Sequence, residues 1–363
     1  MILTLRLQDP PLALDADLWR LWLEPDPEEG IAIRARVDPA RPVVWRELDE
    51  LKQLVELQYQ GVDASVAAYV TARKSLRTFW WLKHGQSRID LSKSALTELA
   101  VDASAPLTVA LPRTLTTLRL LEVSAWNSLR VESDDDGARL AIWAWSSKKP
   151  VRAIAGLPAL AKLSVGLISK LDLALVDKHR ELRALEIFGD DAGAAITNLG
   201  KLSILSKLES LSIRNAFHTD FSQLPSSLPA LKTFAVDGVR AEAAKILRAR
   251  GATVRGVRTD AWLRANADNP FREWTDEHGP SLGARATRAY RKAHAAIDAK
   301  KPTRKQAEAI LRAFVEAFNA VEADVDTIMR EEIDAAYARV ADRVRAQVPE
   351  KEATKWFDAW REF

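Results

Sequence analysis

The sequence predicts an α/β fold, a solenoid built on a parallel β-sheet, followed by a C-terminal all-α helical bundle. Three observations carry this. A six-residue clause, apolar-x-x-apolar-x-apolar, recurs nine times between Leu54 and Val236. The clause stops near residue 260, and beyond it apolar residues recur three and four apart. The composition, 47% hydrophobic and 28% charged over 363 residues, allows two domains and a sizeable core.

Residues 1–40 read as an N-terminal β cap. "ILTLRL" alternates at period two, as does "IAIRARV" from Ile31 to Val37. Such alternation marks a half-buried strand. "LWRLWL" reads as a further strand rib. Stacked repeats need a polar-edged cap at their open end.

Residues 41–258 hold the repeats. Clauses begin at Leu54, Leu76, Leu96, Leu115, Gly137, Leu160, Leu182, Leu208 and Leu231, 19–26 residues apart. "LPALAKLSVGL" at 157–167 shows their logic. Its apolar spacing opens in threes and closes in a two, so the chain passes from a turn into a strand. One repeat cannot bury both strand positions and the preceding leucine; stacked repeats bury them in a continuous core.

The clauses "LPALAKLSV", "HRELRALEI", "LSKLESLSI" and "LPALKTFAV" resemble those of an irregular leucine-rich repeat (LRR) protein of bacterial type. The resemblance covers about residues 40–255. It implies one strand per repeat on the concave side of a horseshoe, with helices or turns behind. The family's turn asparagine or cysteine is missing. Val62, His84, Ser104, Val123, Trp145, Ile168, Asp190, Ala216 and Val239 stand in its place, which implies an irregular solenoid. Around 126–145 "WNSLRV" offers a competing match, offset by 11 residues.

Residues 259–281 read as a linker, with turn residues in "NADNPFREWTDEHGPS". Residues 282–363 read as a helical domain. One helix spans about 282–299. A second starts after Pro302, where Thr303 and Gln306 form a capping-box pattern, and carries Ala307, Ile310, Leu311, Phe314, Phe318 and Val321 on its apolar face. A third buries Val325, Ile328, Ile333, Ala336, Tyr337, Val340 and Val344. A last helix follows Pro349 and carries Trp356, Phe357, Trp360 and Phe363.

Composition excludes several functions. The chain has no cysteine, so disulfides, thiol nucleophiles, thiolate zinc sites and iron–sulfur clusters are out. That suits a reducing compartment, and with no signal-peptide pattern and no membrane-length apolar run the expectation is a cytoplasmic chain away from membranes. The net charge of +3 is a small excess over 50 acidic groups and predicts no nucleic-acid partner by itself. No GxxxxGK[ST], GxGxxG, GxSxG or HExxH motif is present. "HTD" at 218–220 lacks a third metal ligand. The acidic run "EADVDTIMREEID" lacks the spacing and glycine of an EF-hand loop. The layout also resembles bacterial LRR effectors that ligate ubiquitin, but their chemistry uses a cysteine. No enzyme activity, cofactor or metal is expected.

Function is expected on the outward face of the strands. In the repeat register, Leu121, Trp143, Gly166 and Phe188 occupy one row on consecutive ribs, with Gly166 leaving a shallow notch. Trp80 and Leu82 extend the strip, and Arg119 and Arg214 border it. Exposed aromatics beside arginine are the composition of interface hot spots. The expected partner is another protein. The helical domain covering the strip, or a shifted register with Trp143 in the core, are the alternatives. A second function remains open: the basic stretch 285–305, with Arg285, Arg288, Arg291, Lys292, Lys300, Lys301, Arg304 and Lys305 against Asp298, would contact nucleic-acid phosphates. Its bland counterpart is neutralisation by the acidic stretch 308–334 on adjacent helices, or simple exposure of both stretches to water. A third is an unrecognised enzyme site around Glu331 and Glu332.

Overall fold

The structure is a computed structural model that describes residues 2–27, 33–122, 129–145, 154–190, 193–320 and 325–363. The chain divides into two compact units, Met1–Thr259 and Asp260–Phe363. No helix of the described residues is long and apolar enough to cross a membrane.

The first unit is mixed α/β. β1 (Ile2–Leu5) and β2 (Leu12–Asp15) form an antiparallel pair. A twelve-stranded sheet follows. Its strands are β3 (Arg20–Glu24), β4 (Arg34–Arg36), β5 (Glu56–Gln60), β6 (Thr78–Leu82), β8 (Glu98–Asp102), β10 (Thr117–Leu121), β12 (Ala141–Trp145), β13 (Lys162–Ile168), β15 (Ala184–Gly189), β17 (Ser210–Arg214), β18 (Thr233–Arg240) and β19 (Thr253–Arg258). Neighbours pair in parallel, in chain order except that β3 lies between β4 and β5. "LWRLWL", read as a further strand rib, supplies most of β3 in this sheet.

The return segments carry short parallel strands of their own. β7 (Arg88–Asp90), β9 (Leu107–Ala110) and β11 (Leu129–Glu132) form one sheet, and β14 (Lys170–Asp172) pairs with β16 (Ala195–Thr197). Elsewhere the chain returns through α1 (Ser65–Ala72), α2 (Ala241–Ala249) or 3-10 turns.

The repeated clause dictates the core. Leu57 and Tyr59, Phe79 and Trp81, Leu118 and Leu120, and Leu211 and Ile213 point inward and are buried, as are the leading Leu54, Leu76, Leu115 and Leu208. Each such side chain contributes about 1.5–3 kcal/mol on burial.

One rib departs from the predicted register. Ile142 lies opposite Leu118 and Ala144 opposite Leu120, so the inward pair is Ile142 and Ala144, two residues beyond Leu140 and Ile142. An Asp135-centred turn takes up the extra length: Asp135 accepts hydrogen bonds from the backbone of Gly137 (3.2 Å) and Arg139 (3.0 Å). The competing match ends in β11, in the second sheet; its first residues lie outside the described ones.

Without a turn asparagine, other side chains tie successive turns together. The Gln86 N–H donates to Nδ1 of His84 (2.8 Å), so the proton sits on Nε2, which donates to the Asp102 carbonyl (2.7 Å). The Ile154 N–H donates to Nε2 of His179 (3.2 Å), and Nδ1 donates to the Leu157 carbonyl (3.2 Å). The buried Thr219 hydroxyl bridges the Ala194 carbonyl and the Ile196 N–H. Both imidazoles are neutral in this arrangement, and a second ring proton would face a backbone N–H.

Burial holds both histidines below their ordinary pKa. A depressed folded pKa favours the neutral form, so their stabilisation is complete above the unfolded value of about 6.5 and is lost as pH falls below it. The urea midpoint of the first unit is expected to be lower at pH 5 than at pH 7.5. That difference should shrink in His179→Gln; an equal difference in the variant would remove His179 as a cause.

The second unit is helical: α3 (Asp260–Ala265), α4 (Trp274–Glu277), α5 (Pro280–Ala299), α6 (Arg304–Asn319), α7 (Thr327–Arg343) and α8 (Glu350–Trp360). The capping box at Thr303 and Gln306 is formed in both directions. Ala307, Leu311, Phe314, Ile333, Tyr337, Val340 and Phe357 build the core. Residues 266–281, linker-like in composition, place Phe271 and Trp274 in that core. Ile328 differs from expectation and is 65% exposed, while Val325 is buried. Val321, Glu322 and Asp324 lie outside the described residues.

Candidate interaction face of the sheet

With the inward positions fixed, the alternate strand residues stand on the opposite face of the sheet. The register aligns Gln58, Trp80, Ala100, Arg119, Trp143, Ser164, Glu186, Ser212 and Ala235 in one row. In the next row Gln60 lies opposite Leu82, Leu121 opposite Asp102, Trp145 opposite Gly166, and Phe188 opposite Arg214. Trp143 therefore belongs to the first row, two residues from its predicted place, and Trp145 takes the second. Trp143 is half-exposed on the face, so it is not core.

Alternation of large and small residues then assembles a file of flat side chains. Ala100 is fully buried on β8, which leaves room above it for Trp80 and Arg119. The Arg119 guanidinium lies 5.8 Å from the Trp80 ring and 5.7 Å from the Trp143 ring. The Trp143 and Phe188 rings stack across β13 at 6.4 Å and 20°, reaching over the small Ser164. Arg214 closes the file, 5.2 Å from the Phe188 ring. Each contact contributes on the order of 0.5–1.5 kcal/mol.

Two acids on the same face take polar contacts. Arg119 Nε lies 2.6 Å from Glu98, and the Ser164 hydroxyl donates to Glu186 at 2.8 Å. Arg119 and Phe188 thus flank the Trp143 ring, and Trp143 and Arg214 flank the Phe188 ring.

The predicted site residues fare differently. Trp80, Arg119, Trp143, Phe188 and Arg214 come together. Leu82 and Leu121 share the face but sit beside Gln60 and Asp102 and do not continue the file. The predicted notch at Gly166 is closed: a Cβ there would lie 2.7 Å from Cδ1 of Trp145, so the indole fills the space that glycine leaves. Trp145, 40% exposed, is a face residue that the sequence reading missed. "AIWAW" signals it once Ile142 and Ala144 are inward. Trp22 is another, on β3 opposite Gln58, with Arg34 4.7 Å from its ring.

The chain matches no protein-family profile, no curated protein and no solved structure.

The other candidates serve local structure. Asp220 of "HTD" accepts from the Ser222 N–H (3.0 Å). Glu332 accepts from the Trp274 indole (2.6 Å), and Asp326 caps α7 through the Met329 N–H (2.9 Å). Among the described residues no cluster of three or more His, Asp or Glu could hold a metal ion. In the basic stretch, Arg291 donates to the Ala265 carbonyl (3.0 Å), and Arg304 pairs with Glu352. Asp298 of α5 pairs with Arg343, Arg304 of α6 with Glu352, and Arg312 with Glu316 within α6; none among the described residues joins stretch 285–305 to stretch 308–334.

Proposed function

We propose that the chain is a non-catalytic protein–protein interaction protein whose first unit is a leucine-rich repeat solenoid, and that it binds its partner protein through the outward face of the twelve-stranded sheet. The single observation that carries this reading is the half-exposed file Trp80, Arg119, Trp143, Phe188 and Arg214. Tryptophan and arginine dominate the residues whose truncation costs an interface most. The nine-fold clause and the parallel register support the solenoid reading. The cysteine-free composition fits a cytoplasmic setting.

The test is affinity capture from the native host with wild-type, Trp143→Ala and Phe188→Ala chains as bait. Loss of a central anchor by about 2 kcal/mol corresponds to roughly thirtyfold weaker binding. Each variant is expected to lose a partner that the wild type retains while staying folded, its melting lowered only by the lost contacts within the file. Normal capture by both variants would refute the reading.

A further inference from the structure

Helices α5 and α6, joined through residues 300–303, leave a groove of about 700 Å3 between their facing sides. Its floor is Ala289, Ala293 and Phe314, all buried. Along one edge α5 sets Arg285, Arg288 and Lys292, at i, i+3 and i+7 and exposed to solvent. Among the described residues no carboxylate lines the groove. None of the three cations takes an ion pair or hydrogen bond among the described residues, whereas Arg291 and Arg304 are engaged. An apolar trough and an uncompensated positive edge thus run side by side.

We propose that this groove binds a single-chain anionic amphiphile, a fatty-acyl carboxylate, with the chain on the alanine and phenylalanine floor and the carboxylate on the arginine edge. Charge complementarity selects the head group, because guanidinium forks match carboxylates with two parallel hydrogen bonds. Size selects the body. The volume falls within the ~300–1,000 Å3 of small-molecule sites. A four-turn helix about 10 Å across fills on the order of 1,700 Å3, so the groove would seat only its edge. A hydrocarbon chain fits inside.

The experiment is titration calorimetry of the full chain with octanoate, decanoate and laurate below their micelle concentrations. Saturable one-to-one binding is expected, tightening about fourfold per added methylene. Dodecanol and dodecyltrimethylammonium should bind at least tenfold more weakly than laurate. The double variant Arg285→Glu/Arg288→Glu should lose that preference for the carboxylate and still bind dodecanol as the wild type does. Ala313→Leu, at an exposed wall position, should fill the trough and abolish laurate binding while the circular-dichroism melt stays unchanged. Phosphatidylglycerol vesicles form a separate arm, since a membrane offers the same head-group charge. Vesicle binding without laurate binding overturns the proposal. So does an affinity that ignores chain length, or an Ala313→Leu chain that binds laurate normally.

Discussion

Gly156→Ala is expected to destabilise the first unit by about 3 kcal/mol or more. Gly156 has φ of +89°, and a Cβ at that position would lie 2.1 Å from the Val131 carbonyl oxygen. The obstacle is backbone, so it cannot swing away. Relieving it requires moving the 155–157 segment off β11. Ala155 accepts the Val131 N–H there at 3.0 Å and pairs with Arg130 as a bridge. Gly251→Ala is the control. Its φ is +79°, with nothing within 4 Å of the added carbon, so only the left-handed backbone cost of about 1–2 kcal/mol applies. Urea midpoints of the two variants separate the contributions. Equal losses would mean that the β11 contact is not tight.

Trp274→Ala is expected to cost the second unit about 3–5 kcal/mol. The indole is 1% exposed, packs edge-on against Phe271 at 4.7 Å and donates to Glu332 at 2.6 Å. Truncation opens a cavity and removes a charge-assisted hydrogen bond. Trp274→Phe keeps most of the volume and should cost about 1.5–3 kcal/mol, the worth of that bond. The loss would show in urea unfolding followed by the helical circular-dichroism signal. A Trp274→Ala chain as stable as the wild type would return 266–281 to the role of a linker.

That segment also marks where sequence reading runs out. Asn, Asp, Gly and Pro announce turns, and 266–281 is rich in them. Burial of Phe271 and Trp274 depends on partners up to 58 residues away, which local composition does not encode. The repeat strands were legible because two inward apolar positions per rib are obligatory. β12 was misread because its second inward residue is Ala144, too small to register in a pattern built on leucine. β7 and β9 escaped because three or four residues carry little periodicity. On the face, the residue types pointed to Trp80, Arg119, Trp143, Phe188 and Arg214. Their stacking order, and the ion pair from Glu98 to Arg119, depend on register across strands about twenty residues apart. Helical stripes predicted most of the second core, but Ile328 shows that spacing alone does not say which residue at the edge of a stripe is covered.

The file of Trp80, Arg119, Trp143, Phe188 and Arg214 has a consequence for association. A free arginine side chain gives up up to about 2 kcal/mol of rotamer freedom when it is fixed, and immobilising other interface side chains costs roughly 0.5–1.5 kcal/mol each. Here neighbouring planes hold one another before any partner arrives, so folding has already met much of that entropic cost. On the proposed reading, a partner would meet a preorganised surface, and more of its contact energy would appear as affinity. The same mutual support makes the five residues one cooperative unit. Removing a middle member, Arg119 or Trp143, would loosen the others, so substitutions along the file should combine non-additively.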